Sequence, residues 1–293
     1  MIKYSIIIIN YKQEELLKKC LSSIYSIFKS EPFEVIVINN SKEDKLPPFN
    51  LPNFRIIESE NYGYANANNT GAGKAKGKYI FFLNADTEIR NDFLAEFDKA
   101  FGNLEFGAAG LKLVYPDGSF QPSCYLKNNF FNEIKNKKLE QIFKSGSETE
   151  KKEIEKKYAE IRKVDWVSGA AFIVKRNIFE SVGGFDERFF LFYEDADLCK
   201  RLSDKGYGIY YYPCGEVIHL KGENANRNFN DVTYYFSKKS QILYYKIHNN
   251  LFQRFLIRGY LLARFSILCL INPSRINIFI LKFLLGKKND KGT

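Results

Sequence analysis

The sequence predicts an α/β domain with a mostly parallel central sheet, followed by a basic helical tail. Three observations lead to this prediction. Apolar β-branched runs alternate with segments of helical periodicity, each predicted strand ends in a polar cluster, and the excess positive charge lies entirely beyond residue 231. The chain has 293 residues, of which 45% are hydrophobic. It can therefore bury a full core, which excludes disordered, collagenous and disulfide-stapled small proteins.

The alternation begins at residues 4–9, a continuous β-branched run typical of a strand that is buried on both faces. Apolar residues then recur at helical spacing and predict an amphipathic helix over residues 13–29. Further strands are predicted at residues 33–38, 54–57 and 79–83, and a second helix around residues 93–101. A parallel sheet with helical crossovers accounts for this order.

Polar residues follow each of the four predicted strands. In order they are Asn10 and Tyr11; Asn39, Asn40 and Ser41; Glu60 and Asn61; and Asn84, Ala85 and Asp86. Ligands of open α/β sheets bind beyond the carboxyl ends of the strands, where these clusters would converge. The turn preference of Asn and Asp explains any single cluster equally well. Four clusters together favour a binding site.

The glycine-rich stretch before the fourth strand does not match either common phosphate-binding motif. In a P-loop spacing counted back from Lys78, Ala72 stands where the first glycine belongs, and Tyr79 follows the lysine. A dinucleotide fingerprint follows a first strand and opens a helix. Gly71 and Gly73 instead lie at the end of a predicted short helix, so both motifs are excluded.

Two later stretches carry further candidate residues. Residues 165–174 hold the single tryptophan beside small residues, and residues 183–201 place carboxylates behind an aromatic segment. Asp197 is explained by an ordinary helical pair with Arg201. Glu194 and Asp195 are not explained in this way. A carboxylate against aromatic side chains has a raised pKa and can act as a general base.

Together these motifs resemble the family 2 glycosyltransferases of the GT-A fold, and in pattern most closely the bacterial rhamnosyltransferase-like enzymes. Each motif is short, but the set runs in family order over about residues 4–222. The motifs are Asn10-Tyr11, Asn39-Asn40-Ser41, Asn61-x-Gly63-Tyr64-Ala65, Asn68-Asn69-x-Gly71, Leu83-Asn84-Ala85-Asp86, Trp166-Val167-Ser168-Gly169-Ala170, Gly183-Gly184-Phe185-Asp186-Glu187 and Tyr193-Glu194-Asp195-x-Asp197-Leu198, with His219 beyond them.

The resemblance implies a role for each group of residues. Asp86 would bind Mg2+ or Mn2+ at the donor diphosphate, and His219 would contact the metal or the diphosphate unless its role is structural. Asp195, with Glu194 beside it, would take the proton of the acceptor hydroxyl in one inverting displacement. The implied donor-binding residues are Asn10, Tyr11, Asn39, Ser41, Asn61, Gly63, Asn68, Asn84 and Ala85. The implied wall of the sugar and acceptor site is Trp166, Ser168, Gly169 and Ala170.

The implied activity is transfer of a sugar from dTDP-rhamnose or a UDP-sugar to a glycan or lipid-linked acceptor in cell-surface polysaccharide synthesis. The sequence departs from the family pattern in three places, one of which is the stretch after His219, where the Ser of many relatives is missing. The other two concern the donor side. Asn39 stands where relatives often carry a base-contacting Asp, and Asn84 replaces the first Asp of a D-x-D motif. A nucleotidyltransferase, or a non-catalytic nucleotide-sugar-binding protein on the same fold, is therefore the alternative.

The predicted organisation is a catalytic domain over residues 1–231 and a tail over residues 232–293. Within the first, residues 127–163 are rich in Lys and Glu and predict a helical insertion that is interrupted near Gly146. The insertion either borders the acceptor cleft or is a solvated hairpin. In the tail, Pro273 would end a basic amphipathic helix, and residues 276–285 would form another.

The tail has no acidic residue from Val232 to Asn289 but ten Lys or Arg residues, which account for the whole formal charge of +10. Its apolar content and charge suit an anionic membrane surface. A nucleic acid is excluded as partner, because no recognised motif is present and the apolar residues would lack a partner. Packing on the catalytic domain or a second subunit is the remaining possibility.

The expected location is the cytoplasm, at the inner face of the cell membrane. Neither a signal peptide nor a membrane-spanning stretch is predicted. Five scattered cysteines fit a reducing compartment.

Overall fold

The structure is a computed structural model that describes residues 1–41, 43, 45–220 and 231–287. Its first half contains β1 (Tyr4–Asn10), α1 (Glu14–Ile27), β2 (Phe33–Asn39), β3 (Phe54–Glu58), α2 (Tyr64–Ala72), β4 (Tyr79–Asn84), β5 (Thr87–Ile89), α3 (Leu94–Phe101) and β6 (Phe106–Val114). The predicted strands and helices of this half are present, with ends shifted by one or two residues.

The middle of the chain contains the insertion and the second half of the sheet. Its elements are β7 (Phe120–Gln121), β8 (Cys124–Tyr125), α4 (Phe130–Ser145), α5 (Glu148–Lys156), β9 (Arg162–Lys163), β10 (Trp166–Val167), β11 (Ala171–Lys175), α6 (Arg176–Ser181), α7 (Glu194–Asp204) and β12 (Gly208–His219). The tail follows as α8 (Asp231–His248), α9 (Leu251–Ile271) and α10 (Arg275–Leu284).

The main sheet has the strand order β3-β2-β1-β4-β11-β6-β12-β5. Strands β3, β2, β1 and β4 are parallel to one another, and β12 is parallel to β6. This confirms the mostly parallel α/β fold. Strand β11 lies between β4 and β6 and is antiparallel to both. The sequence did not predict this antiparallel strand. Strands β8 and β10 form a separate small sheet.

The register of the parallel strands brings their polar ends together. Asn10 is opposite Asn39, Asn39 is opposite Glu58, and Asn84 is opposite Ile9. Alternate residues of each strand face opposite layers, as the pleat requires. In β1, for example, Ile6 and Ile8 pack in the core with α1 and α3, whereas Ile7 packs in the core with α2. The sheet is therefore covered on both faces and leaves its carboxyl edge for ligands.

The insertion is helical and breaks where the sequence indicates. Helix α4 ends at Ser145, and Ser147 then begins α5 with a capping box that includes Glu150. The three tail helices share a hydrophobic cluster with Phe189 and Ala196, which flank the predicted catalytic carboxylates. The tail is thus packed on the rest of the chain.

The second tail helix predicted at residues 276–285 corresponds to α10 (Arg275–Leu284). The end of the predicted tail (288–293) and the end of the family-like region (221–222) lie outside the described residues. Among the helices that are described, none combines the length and the apolar character needed to cross a bilayer.

Candidate active site

A cleft of about 540 Å³ opens at the carboxyl edge of the sheet. It is bounded by the start of α2, the end of β4, the segment between β10 and β11, the start of α7, and side chains of α4 and α8. The predicted site residues that line it are Asn84, Trp166, Ser168, Gly169, Ala170, Glu194, Asp195 and His219. Residues of four separate motifs thus meet in one cavity.

Asp195 is held at the wall of this cleft by backbone amides. Its Oδ2 accepts a hydrogen bond from the N–H of Gly169 at 2.8 Å, and its Oδ1 accepts one from Ala196 at 2.7 Å. The residue lies in the first turn of α7, where the helix dipole favours an anion. The left-handed backbone at Phe192 and Tyr193, with φ of 68° and 67°, turns the chain into this helix. The carboxylate of Asp195 is therefore fixed in position at the wall of the cleft.

Glu194 differs from Asp195 in burial. Its side chain is buried, and Oε2 has no hydrogen-bond partner among the residues that the structure describes. Burial raises the pKa of Glu194 well above its ordinary value, and the neighbouring charge of Asp195 raises this pKa further. The raised pKa that the aromatic surroundings predict is thus found at Glu194, directly beside the carboxylate that the backbone holds.

Tyr64 joins the two sides of the cleft. Its hydroxyl lies 2.8 Å from Oδ1 of Asn84 and 3.0 Å from the carbonyl oxygen of Gly169. The sequence pattern includes this tyrosine in a motif but predicts no role for it at the site. Gly63 positions it through the backbone, because a Cβ at Gly63 would lie 2.5 Å from the carbonyl oxygen of Phe190. Gly63, predicted to bind the donor, thus has a conformational reason to be glycine, because its φ of 101° and its close approach to Phe190 both disfavour a side chain.

Asp86 and His219 face each other at the end of β4 and β12. Nε2 of His219 is 3.5 Å from Oδ1 of Asp86, and Nδ1 is 2.6 Å from Oε1 of Gln121. The amide of Gln121 also donates from Nε2 to the carbonyl oxygen of His219 at 3.3 Å, which fixes its orientation. The contacts with Gln121 fix the ring so that Nε2 is the nitrogen that faces Asp86.

This pair has the right chemistry for a divalent cation. A carboxylate oxygen and an oriented imidazole nitrogen are suitable protein ligands, and Mg2+ usually keeps several waters and substrate phosphates as its other ligands. In the part of the chain that the structure describes, no cluster of three or more metal-ligating side chains occurs. Asp86 and His219 therefore fit a metal that the donor diphosphate helps to hold.

The predicted nucleotide-binding residues fall into two groups. Tyr11, Ser41 and Asn61 line a smaller cavity of about 360 Å³ at the same edge of the sheet. Asn10 and Asn39 are buried, where Asn10 donates to Asn39 at 2.9 Å and Asn39 donates to Glu58 at 2.8 Å. Sequence reasoning did not assign Lys12, Asn40 and Glu60, which also line this cavity.

Two other predicted donor residues are buried as well. Asn68 lies inside α2 and donates from Nδ2 to the carbonyl oxygen of Tyr64 at 3.0 Å, and Ala85 is buried beside Asp86. Three residues predicted to contact the nucleotide are thus buried in the structure, namely Asn10, Asn39 and Asn68. Their bonds join the ends of β1, β2 and β3 to one another and close a turn within α2.

The opposite wall of the cleft is aromatic. The ring of Trp166 stacks on Tyr125 at 4.5 Å, and its indole N–H donates to the carbonyl oxygen of Leu126 at 2.9 Å. The insertion adds Glu133, Asn136, Lys137 and Glu140 of α4, and the tail adds Thr233 of α8. Helix α4 thus borders the cleft, whereas α5 buries none of its side chains. The spacing of polar residues in the insertion gave no signal for these contacts.

Comparisons with known proteins agree with this geometry. The profile of Glycosyl transferase family 2 matches residues 5–182, and that of the N-terminal domain of galactosyltransferase matches residues 151–223. An N-acetylglucosaminyl-diphospho-decaprenol L-rhamnosyltransferase of Mycobacterium tuberculosis is 29% identical over 239 residues, which are 76% of this chain and 78% of that protein.

Solved structures show the same fold at low identity. TarS residues 1–349 of S. aureus in complex with UDP-GlcNAc give a TM-score of 0.54 at 15% identity, covering 97% of this chain and 80% of that one. GalNAc-T7 with UDP, GalNAc and Mn2+ gives a TM-score of 0.54 at 14% identity, covering 76% of this chain and 45% of that one. The fold is GT-A, and because the family profile spans more than half of the sequence, the chain belongs to glycosyltransferase family 2.

Proposed function

We propose that this glycosyltransferase moves a sugar from a nucleotide-diphosphate sugar to a glycan or lipid-linked acceptor, with inversion at the anomeric carbon. The position of Asp195 carries the proposal. Its carboxylate is fixed by backbone amides in the one cleft that also contains Asn84 and His219 on the donor side and the aromatic wall on the other. An acceptor hydroxyl placed beside Asp195 would have a base within reach.

The reaction is a single displacement. The acceptor oxygen forms a bond to the anomeric carbon, while Asp195 takes the hydroxyl proton and the bond from that carbon to the diphosphate oxygen breaks. The electron pair of the broken bond leaves with the nucleoside diphosphate. Trp166 and Tyr125 provide an aromatic surface that orients the sugar or the acceptor. Tyr64 holds the carbonyl oxygen of Gly169 and thereby the amide that fixes Asp195.

Asp86 and His219 would hold the divalent cation, Mg2+ or Mn2+. The ion would supply positive charge that stabilises the diphosphate as a leaving group. The orientation of the His219 ring, with Nε2 facing the carboxylate of Asp86, supports this assignment. The Mn2+ present in the GalNAc-T7 structure, which shares the fold, is consistent with it.

The donor is dTDP-rhamnose or a UDP-sugar. The relative from M. tuberculosis is named a rhamnosyltransferase, and the two structural neighbours contain UDP or UDP-GlcNAc. The cavity lined by Tyr11, Ser41 and Asn61 would accept the nucleoside. The alternative, a nucleotidyltransferase or non-catalytic binding protein, is not favoured, because the family match and the held carboxylate both fit sugar transfer.

The direct experiment incubates the protein with Mn2+ or Mg2+ and a panel of nucleotide sugars, and measures donor hydrolysis and transfer to sugar-diphospho-lipid acceptors. We expect one donor to be consumed. Asp195→Asn should lower the transfer rate by roughly 100- to 10,000-fold, the usual contribution of a general base, and leave donor binding unchanged. No response to any donor would refute the proposal, and full transfer by Asp195→Asn would refute the assignment of the base.

We further propose that the tail docks on an anionic membrane surface at the cytoplasmic face. Helix α9 presents an exposed stripe at helical spacing, with Phe255 75% and Leu270 84% exposed. Other exposed apolar residues of α9 are Leu251, Phe252, Ile267 and Ile271. This apolar stripe lies in the segment that holds the ten cations and no acid, which suits anionic lipid.

Substitution of the stripe tests this docking. The double variant Phe255→Ser and Leu270→Ser should bind vesicles of phosphatidylglycerol and phosphatidylcholine at least about tenfold more weakly, since each side chain loses apolar burial in lipid. Leu104→Ser, which changes an exposed apolar residue outside the tail, is the matched control. Equal binding by the double variant and the control would remove the membrane proposal.

A further inference from the structure

Three cations from three different helices lie near one another, and the first of them lines the cleft. They are Lys137 of α4, Lys238 of α8 and Arg264 of α9, and we call them the cation cluster. The ammonium of Lys137 lies 5.8 Å from the ring of Tyr260, one helical turn before Arg264 on α9. Lys238 is half-buried, and its closest polar contact is the neutral Oε1 of Gln241 at 3.4 Å. The cluster therefore lies where the insertion helix α4 meets α8 and α9, two of the three tail helices.

The cluster is short of negative charge. In the described part of the chain, none of its members is ion-paired with a carboxylate. The acid beside it is Glu133, whose Oε1 accepts from the hydroxyl of Tyr193 at 3.1 Å and whose Oε2 accepts from Gln241 at 2.6 Å. Glu140, one helical turn after Lys137, accepts from the hydroxyl of Tyr125 at 3.2 Å. Glu133 thus uses both of its oxygens on neutral donors.

The electrostatic consequence is visible at Lys238. Burial lowers the pKa of its ammonium to about 8, and the charges of Lys137 and Arg264 contribute to the decrease, which Glu133 only partly offsets. Burial also raises the pKa of Glu133, which weakens the compensation further. Holding unpaired cations together costs free energy, and a multivalent anion would remove this cost.

The cluster borders the site of the chemistry. Lys137 and Glu133 line the same cleft as Asp195, and so does Thr233, which precedes Lys238 on α8. The proposed function already places the donor diphosphate at Asp86 and His219. An anion at the cluster therefore belongs to the other substrate.

We infer that the cation cluster binds the diphosphate of a lipid-linked acceptor. This inference rests on the proposed function. The acceptor sugar would occupy the cleft with its hydroxyl at Asp195, the diphosphate would lie on the three cations, and the lipid would continue along α9. That helix contributes Arg264 to the cluster and carries the exposed apolar stripe, so one element would guide the acceptor from the membrane to the cleft.

The test compares two acceptors that carry the same sugar. One is N-acetylglucosamine linked through diphosphate to farnesol, and the other is the neutral octyl glycoside of N-acetylglucosamine. In Lys137→Gln and in Lys238→Gln, the KM for the diphosphate acceptor should rise at least about tenfold, because a charge-assisted bond to phosphate is lost. The KM for the octyl glycoside and the KM for the donor should not change.

Lys138→Gln is the matched control, since Lys138 is exposed like Lys137 and neighbours it on α4 but does not line the cleft. Equal effects of Lys137→Gln and Lys138→Gln, or the same loss with both acceptors, would overturn the inference. A rise in the donor KM would show instead that the cluster holds the donor diphosphate, which also overturns it.

A binding measurement separates this inference from the proposed function. Equilibrium binding of the farnesyl diphosphate acceptor in detergent micelles needs no turnover. It should weaken at least about tenfold in the double variant Lys137→Gln and Lys238→Gln, and inorganic pyrophosphate should compete with it. Binding of that strength to a protein that consumes no donor would refute the proposed function alone. Unchanged binding by the double variant would refute the inference alone.

Discussion

The two sides of the cleft are built in different ways. The donor side consists of strand ends, where Asn10, Asn39 and Asn84 are placed by the register of adjacent parallel strands. The acceptor side consists of helices, with α4, α8 and α9 meeting through contacts between residues far apart in sequence, such as Gln241 with Glu133. The positions of the donor-side residues follow from the parallel pairing of strands that the whole fold shares. The positions of the acceptor-side residues depend on helix packing that is specific to this chain.

The largest expected effect is on the donor side. Asp86→Ala should lower the transfer rate at least about 100-fold and abolish its stimulation by Mn2+, since a metal ion is worth several kcal/mol to a developing diphosphate charge. A metal titration of the transfer rate checks this. Glu88→Gln, two residues along β5, is the control. An Asp86→Ala enzyme that keeps its metal dependence would place the metal elsewhere.

The next largest effect is expected on stability, at the contact between α7 and the tail helix α8 on the acceptor side. Asp197 is buried, and its carboxylate receives bonds from Arg201 at 2.8 Å and from His248 of α8 at 2.7 Å. Asp197→Asn should lower the free energy of unfolding by about 3 kcal/mol, because Arg201 loses a buried, charged partner and the bond to His248 weakens. Urea unfolding measures the change.

The same helix provides the control for Asp197. Asp204 pairs with Lys200 at the same spacing on α7, but its side chain is 57% exposed. Asp204→Asn should cost at most about 1 kcal/mol, because exposed ion pairs contribute little. Equal losses of stability in Asp197→Asn and Asp204→Asn would show that the buried contact between α7 and the tail contributes no more than an exposed ion pair.

A smaller effect is expected at the residue that joins the two sides. Tyr64→Phe removes the hydroxyl shared by Asn84 and Gly169 and should reduce kcat/KM roughly tenfold, consistent with one buried hydrogen bond. The kinetics should be compared with those of Tyr62→Phe, whose ring is exposed and whose hydroxyl donates to Glu60. Equal kinetics in the two variants would mean that the Tyr64 hydroxyl does not help to position the donor and acceptor sides of the cleft relative to each other.

The smallest effect concerns Glu194 and pH. Its pKa is raised in the folded protein, so the folded state binds more protons and stability falls as pH rises above the ordinary glutamate pKa of 4.5. Glu194→Gln should remove this decline and raise Tm at pH 7.5 by a few degrees, an effect of roughly 1 kcal/mol. Melting curves of both proteins from pH 4 to 8 test it. A wild-type Tm that rises over this range while the variant stays level would contradict the direction.

Much of the donor side could be predicted from the sequence, because its information is local. A β-branched run such as residues 79–83 indicates β4 (Tyr79–Asn84), and the polar residues after each run lie at one edge once the strands are parallel. The convergence of Asn10, Asn39 and Asn84 therefore follows from pattern and fold rule together. The burial of Asn39 and Asn68 does not, since it depends on bonds to Glu58 and Tyr64.

Little of the acceptor side could be predicted, because its information is not local. Strand β11 runs antiparallel to its neighbours β4 and β6, and hydrophobic periodicity does not indicate the direction in which a strand runs. The sequence identified the charge of the tail but not the burial of Lys238 among Lys137, Arg264 and Glu133, which needs three helices in contact. For the same reason, the raised pKa expected near the aromatic segment could not be assigned to Glu194 in advance.

The central claim is a single displacement with Asp195 as the base. The most direct measurement of it is the anomeric configuration of the product, determined by NMR from the coupling at the transferred sugar's anomeric carbon and compared with that of the donor. A configuration opposite to that of the donor is the predicted result. Retention of the donor configuration would contradict the account, because it would require an intermediate that one base at this position does not provide.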